Sequence, residues 1–424
     1  MGFFVLLMFF LLFLLGFPVV LAITLPAVGY IFLNNIPIEM ISQRLCYSLN
    51  SYPLVAIPVF IFVGSLMNAT GITKRIFKFA DTAVGRLYGG LAQVNIVASL
   101  IFSGMSGAAL ADVGGLGQIE IKGMEDKGFK RSFAATVTIA SSTVGPIFPP
   151  SIPIIIYGAV AGVSVVKLLV GGIIPAFISV VMLMLVTAII SYRRDYPRTE
   201  RWSTLSEIFR DLLPALPALM APVLLIFGML CGYFTPTEAA SLTVIYILLI
   251  SKFVYHELSI KHFINSSVET IKASCGILII ISAASLFGWI LAVERIPQMF
   301  SNAVCIFGEN TFILLLLVNI LLLIVGMFLD STTATLLIVP MLAPPVVAAG
   351  VDPVHLGVVV VFNLMIGLVT PPMGLALFLV SDIAKVSIQS ILVELRPYLV
   401  ALLISLMIIT FIPQLTLWIP NMIK

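Results

Sequence analysis

The sequence predicts an all-α polytopic membrane protein with two inverted repeats, two re-entrant helical hairpins and two broken transmembrane helices. Three observations carry this reading. The composition is too apolar for water, the long apolar stretches are interrupted, and one motif recurs in both halves at a constant offset. Of 424 residues, 61% are hydrophobic and 10% charged, against about 25% charged in soluble proteins. So few charges cannot cover a water-exposed surface. This excludes a cytosolic enzyme, a nucleic-acid binder and a secreted module, and the net charge of +3 is too small to imply a polyanionic partner.

The chemistry-bearing residues are sparse. Cys46, Cys231, Cys275 and Cys305 form no CxxC, and His256, His262 and His355 form no HExxH. No GxxxxGK[ST] loop is present, so no ATP hydrolysis is expected of this chain. The apolar start Gly2–Leu15 has no basic lead-in and reads as a retained membrane segment, not a signal peptide.

A helix crosses the hydrocarbon layer in about 20 residues. Phe3–Leu33 is too long for one span and is interrupted at Gly16-Phe17-Pro18. Either two segments or one kinked segment fits, and the side of the N-terminus depends on which. Pro37–Asn50, with Glu39 and Arg44, reads as an interfacial amphipathic arm. Pro53–Met67 is a span, and the basic stretch Gly71–Arg86 reads as a charged loop. Gly89–Gly123 is apolar and rich in small residues, and a second charged loop, Lys122–Arg131, follows it. Ser132–Gly162 is broken at Gly145-Pro146 and Pro149-Pro150. Val166–Tyr192 reads as an uninterrupted span before the polar linker Arg193–Arg210.

The second half has the same style. Leu212–Gly232 and Ala239–Tyr255 are spans, His256–Lys272 an amphipathic connector and Ser274–Val293 a span. Phe312–Gly350 is expected to break at Asp330-Ser331-Thr332-Thr333 and at Pro344-Pro345, Val354–Val380 at Thr370-Pro371-Pro372, and Ile388–Trp418 closes the chain.

Charge asymmetry sets the topology. Basic stretches flank Gly89–Gly123 on both sides, so this segment enters and leaves on the inner side as a hairpin. Every Lys and Arg except Arg44, Lys167, Arg295 and Lys424 then falls inside. The Phe312–Gly350 hairpin opens outward. Gly145-x-x-x-Pro149-Pro150 recurs as Gly367-x-x-x-Pro371-Pro372, and Gly104-Met105 as Gly326-Met327, at the same offset. A single Gly or Pro break often only kinks a membrane helix. Paired breaks in inverted repeats point to a secondary transporter and to its site. Carbonyls freed at mid-membrane must face protein or a hydrated cavity. With hydroxyls they make an oxygen cage for a hard cation such as Na⁺, and helix N-termini at the hairpin tips suit an anion.

With these features and the stretch Phe234-Thr235-Pro236-Thr237-Glu238-Ala239-Ala240, essentially the whole chain resembles the large membrane subunit (DctM-like) of tripartite ATP-independent periplasmic (TRAP) transporters. The resemblance implies an elevator-type transporter in a bacterial inner membrane. It implies a small four-helix membrane subunit and a periplasmic substrate-binding protein as partners, a Na⁺ gradient as the drive, and import of an organic acid. Sialic acid is the member-level expectation and a C4-dicarboxylate the next. On this reading 1–88 forms scaffold helices and arm, 89–162 the first hairpin and broken helix, and 163–237 connecting spans and linker. Then 238–293 repeats the scaffold and arm, 294–382 the second hairpin and broken helix, and 383–424 is the last span. A stand-alone Na⁺/dicarboxylate elevator symporter without a binding protein is the alternative. No charged ring marks a channel and no nucleophile–base pair marks an enzyme.

One Na⁺ site is expected where Ser103, Ser106 and Gly107 of the first tip meet Ser142, Gly145 and Pro146. Its mirror would combine Gly326 and Asp330 with Gly367, Thr370 and the Met373 carbonyl. The bland alternative is that these small residues only allow close helix packing. Asp112 and Asp330 are the rare carboxylates of the hairpins, each expected either to charge a Na⁺ cage or to cap a helix. The substrate is expected between the tips, near Ser106, Pro149, Pro150, Ser331 and Thr332. Arg295 is a candidate carboxylate ligand or an interfacial anchor. Arg44 and Glu39 face a binding protein or lipid headgroups. Thr235-Pro236-Thr237-Glu238 reads as a capping box.

Overall fold

The computed structural model describes residues 2–423 apart from 108, 116, 199–204 and 300–310, with the backbone alone at 74, 103–106, 111, 115 and 205. The described residues form helices and turns, and nine stretches among them are long and apolar enough to cross a membrane.

The chain begins as two helices, Gly2–Leu14 and Val19–Leu33, with the break where Gly16 and Pro18 stand. They run antiparallel. The Gly2 amide and the Tyr30 hydroxyl both donate to the Glu294 carboxylate, at 2.8 and 2.7 Å. The two-segment reading therefore holds, and the chain start lies level with the end of the second helix. The arm follows as Glu39–Tyr47, then a short turn, Tyr52–Val55, leads into Ala56–Ala69.

Gly71–Arg86 is not a loop. It contains the helix Ile72–Val84, because its apolar residues fall at helical spacing: Ile72, Ile76 and Ala80 are buried on one face. Its basic face pairs with the second half, Arg75 with Glu257 at 2.7 Å and Lys78 with Asp211 at 3.0 Å. Val165–Arg193 is one apolar span as expected, with Gly172 a single turn residue between Val165–Gly171 and Ile173–Arg193 that stays in the right-handed region. One further stretch differs from expectation. The connector and span at 256–293 are one helix, Ile260–Val293, capped by Ser259. A change from polar to apolar does not interrupt a backbone. Only a cap or breaker does, and none intervenes.

Hairpin 1 consists of Leu91–Ser106, Ala109–Gly115 and Gly117–Asp126, and hairpin 2 of Thr311–Phe328 and Ser331–Ala348. Broken helix 1 is Arg131–Ser142, a turn at Gly145–Ile147, then Ile152–Ala161. Broken helix 2 is Pro353–Leu368 and Leu375–Ala384. The Pro-Pro pairs at the two breaks each contain a cis bond, Pro149-Pro150 and Pro371-Pro372, whereas the third pair, Pro344-Pro345, does not break its segment as expected but lies within the helix Ser331–Ala348.

The inversion can be read along the helix Ile388–Phe411. Near its start, Glu394 pairs with Arg194 at 2.8 Å, close to the base of hairpin 1, where Tyr88 meets Tyr192. At its end, Phe411 stacks on Phe312 at the base of hairpin 2. Those bases lie about 25 Å apart at 1.5 Å per residue. The hairpins thus enter from opposite ends and meet at their tips. In the second half, Leu205–Leu230 and Pro236–Leu249 are again antiparallel, with Tyr246 and Tyr255 donating to the Pro217 and Pro214 carbonyls. Thr235 and Glu238 form the expected capping box.

Candidate functional site

Each hairpin tip is bonded to the break of its own repeat. In the first repeat Ser151 caps Ile152–Ala161, accepting from the Ile154 amide and donating to the Pro146 carbonyl. The Ile152 amide donates to the Gly107 carbonyl at 3.4 Å. Gly107 has φ +64, and a Cβ there would lie 3.1 Å from the Pro150 carbonyl, so this turn of the tip requires glycine. In the second repeat the Gly374 amide donates to the Met327 carbonyl at 3.1 Å. Ile152 and Gly374 stand at the same offset as the two Pro-Pro motifs. Each half therefore has one backbone bond from break to hairpin, with the donors at equivalent positions and the acceptors two residues out of register.

Asp330 caps Ser331–Ala348. Its carboxylate accepts from the Thr332 and Thr333 amides at 2.9 and 3.1 Å and from the Thr333 hydroxyl at 2.5 Å. Gly326 and Gly367 pack backbone to backbone. Thr370 continues the turn, its amide donating to the Gly367 carbonyl and its hydroxyl to the Ile366 carbonyl.

Higher on the hairpin arms, an asparagine in each repeat reaches across to the broken helix. Asn95 bonds Thr138 and Ser141, at 2.8 and 2.9 Å, and Asn319 accepts from Asn363 at 2.8 Å. All of these residues are buried.

A cavity of about 90 Å³ lies between the tips. Gly107 and Pro146 reach it from the first repeat, Asp330, Ser331, Thr332 and Leu368 from the second. Ala109, Leu110, Ile152, Pro153 and Ile277 complete the walls. Two helix N-termini, at Ile152 and Ser331, open onto this one space, and their dipoles favour negative charge, which at Ser331 the Asp330 carboxylate already supplies. Among the described residues no cluster of three or more His, Cys, Asp or Glu could hold a metal. What the two breaks offer instead is carbonyl and hydroxyl oxygen, the donor set of a hard cation.

Gly107, Pro146, Asp330, Ser331 and Thr332 come together at the cavity. Gly326, Gly367 and Thr370 gather at the second break. Gly145 is buried in the first break, and Ser142 is buried with its hydroxyl donating to the Ile139 carbonyl. Pro149 and Pro150 are buried beside the first tip without lining the cavity, Asp112 is buried in the hairpin, and Met373 is exposed. The side chains of Ser103 and Ser106 lie outside the described residues. Arg295 is not brought to the tips. It sits exposed past the end of Ile260–Val293, in the left-handed region at φ +57. Sequence reasoning missed Ser151 and the apolar liners Ile152, Ile277 and Leu368. A Ser placed before Ile-Pro was a readable cap signal. Ile277 carried none, since its role comes from a helix distant in sequence.

This fold and site define a multi-pass membrane permease, built on paired re-entrant hairpins. A family model described as "Tripartite ATP-independent periplasmic transporter, DctM component" matches residues 6–415, and the chain belongs to that family. It is similar to the sialic acid TRAP transporter large permease protein SiaM of Vibrio cholerae, 41% identical over 96% of this chain and 95% of the relative. It is also similar to the C4-dicarboxylate TRAP transporter large permease protein DctM of Pseudomonas aeruginosa, 34% identical over 91% and 90%. Among solved structures, the YdaH transporter of Alcanivorax borkumensis shares the fold, with a TM-score of 0.59 at 13% identity over 89% of this chain and 87% of that one.

Proposed function

We propose that this large permease is the carrier of a Na⁺-driven TRAP system in a bacterial inner membrane. It would work with a small four-helix membrane subunit and take an organic acid from a periplasmic binding protein. The observation that carries the reading is the single cavity shared by both tips and both breaks. Similarity to the Vibrio cholerae permease favours sialic acid as the cargo.

Na⁺, as co-transported cargo, would sit at the two breaks, held by oxygens around Gly107, Gly145 and Pro146 in one repeat and Gly326, Gly367 and Thr370 in the other. Cation binding there would stiffen the broken backbone and so favour the substrate site between the tips, coupling the two ligands. The break-to-tip hydrogen bonds support each hairpin and its broken helix moving as one body, as an elevator requires. Cation charge would offset the carboxylate in a low-dielectric passage.

The test is uptake of labelled sialic acid into proteoliposomes holding this chain and its small subunit, with the binding protein and an inward Na⁺ gradient each present or absent. Uptake that needs both supports the proposal. Uptake indifferent to Na⁺ overturns the coupling, uptake without the binding protein replaces the tripartite reading with a stand-alone carrier, and uptake of succinate alone replaces the substrate.

A further inference from the structure

The tip cavity is small, but a larger crevice adjoins it. This crevice measures about 390 Å³, within the ~300–1,000 Å³ range of pockets that enclose whole organic molecules. The two spaces share three walls. Ile277 of the long helix lines the tip cavity, and Ile281 of the same helix lines the crevice. Ile152 and Ile156 of broken helix 1 divide in the same way, as do Thr332 and Leu336 of hairpin 2. Each step is i to i+4, one turn along one helix face, about 6 Å. On all three helices the crevice therefore lies one turn beyond the tip cavity, and on the long helix that is toward the Glu294 end.

The fourth wall of the crevice is the amphipathic arm and the turn after it. It supplies Arg44, Ser48, Asn50 and Ser51, faced by Ser285 on the long helix. Among the described residues lining this space Arg44 alone is charged. Its guanidinium lies 5.3 Å from the centroid of the Trp289 ring. At this distance cation–π attraction anchors the guanidinium beside the crevice.

We propose that this crevice is a second substrate subsite, in which Arg44 holds the carboxylate of a polyhydroxylated monocarboxylic acid before it descends to the tips. One fixed positive charge matches one carboxylate, since a dicarboxylate would bring its second charge against neutral groups. The hydroxyls and amide of Ser48, Asn50, Ser51 and Ser285 match a polyol. This rests on the organic-acid carrier reading and adds a recognition step to it.

The test is calorimetric titration of the purified complex with its small subunit, at saturating Na⁺ and without binding protein. N-acetylneuraminate and succinate are the probes, and wild type, Arg44→Gln and Arg44→Lys are compared, each also reconstituted in liposomes with and without anionic lipid. Expected are preference for N-acetylneuraminate, affinity about tenfold or more weaker in Arg44→Gln, and partial retention in Arg44→Lys, all independent of lipid charge. Wild-type affinity in Arg44→Gln overturns the subsite while the carrier reading stands. A loss that depends on anionic lipid overturns it too, assigning Arg44 to a headgroup phosphate. Binding of neither acid by wild type overturns the subsite, while uptake with the binding protein present decides the carrier reading separately. Arg44→Lys keeps the charge and shows whether a loss in Arg44→Gln reflects misfolding.

Discussion

Gly326 and Gly367 touch through their backbones. A Cβ built on Gly367 would lie 2.6 Å from the Cα and carbonyl carbon of Gly326, and one on Gly326 3.1 Å from the Gly367 Cα. Hairpin 2 and broken helix 2 are thus as close as two peptide chains can pack. Real Cβ contacts are not found that short, and backbone cannot swing aside as a flexible side chain can.

Gly367→Ala is therefore expected to force the hairpin off the break, costing about 1–3 kcal/mol as an overpacking change. If the second break holds Na⁺, the Na⁺ concentration for half-maximal uptake also rises. Thermal unfolding of the purified complex and Na⁺ titration of uptake check the two effects separately. Wild-type behaviour in both overturns the tight-packing account.

Asp330 separates capping from charge. Asn caps as well as Asp, whereas Ala costs about 1 kcal/mol. Asp330→Ala is expected to lose stability, Asp330→Asn to keep it. Should Asp330→Asn also retain wild-type Na⁺ dependence of uptake, the residue is a cap alone. A rise in the Na⁺ requirement assigns a role to the charge.

Asn363 donates to the side-chain and backbone oxygens of Asn319, at 2.8 and 3.0 Å. Asn363→Ala leaves the Asn319 side-chain oxygen without that donor. Measured interhelical hydrogen bonds in membranes predict a loss of about 1 kcal/mol. Denaturant unfolding in detergent measures it, and no loss would mean that water or another donor replaces the amide.

Glu294 ties the chain start to the end of the long helix. Donation from the Tyr30 hydroxyl, then from the Gly2 amide, holds its carboxyl below the usual glutamate range. A lowered folded-state pKa gives stability that is present above the unfolded value and lost as pH falls through the folded one. Glu294→Gln is therefore expected to melt below wild type at neutral pH, with the gap closing in acid. A gap that persists at acidic pH contradicts this.

Much of the architecture was legible because it is local. The repeated pattern Gly145-x-x-x-Pro149-Pro150 and Gly367-x-x-x-Pro371-Pro372 marks both breaks, where a Pro-Pro pair alone does not, since Pro344-Pro345 stays within a helix. Asp330 before Ser-Thr-Thr marks its own helix start. Local polarity does not fix local geometry. Gly71–Arg86 looked like a loop because it is charged, yet Ile72, Ile76 and Ala80 make one buried stripe. His256–Lys272 looked separate from the span after it, yet no breaker divides them. At the site, Asp330 and Ser331 could be named from the sequence. Ile277 could not, because its place at the cavity depends on how a remote helix packs.

The sequence by itself determined that this protein lives in a bilayer, that it is doubled, and where each half is broken. Hydropathy, glycine, proline and capping act within a few residues, so the chain carries them openly. Tertiary structure alone decided which atoms meet. It set the Ile152 amide on Gly107 and the Gly374 amide on Met327, folded the first two helices back onto Glu294, and placed Arg44 over a crevice one helical turn from the tips. These contacts join residues far apart in the chain, and their partners are chosen by close packing of helix faces, which no local pattern encodes.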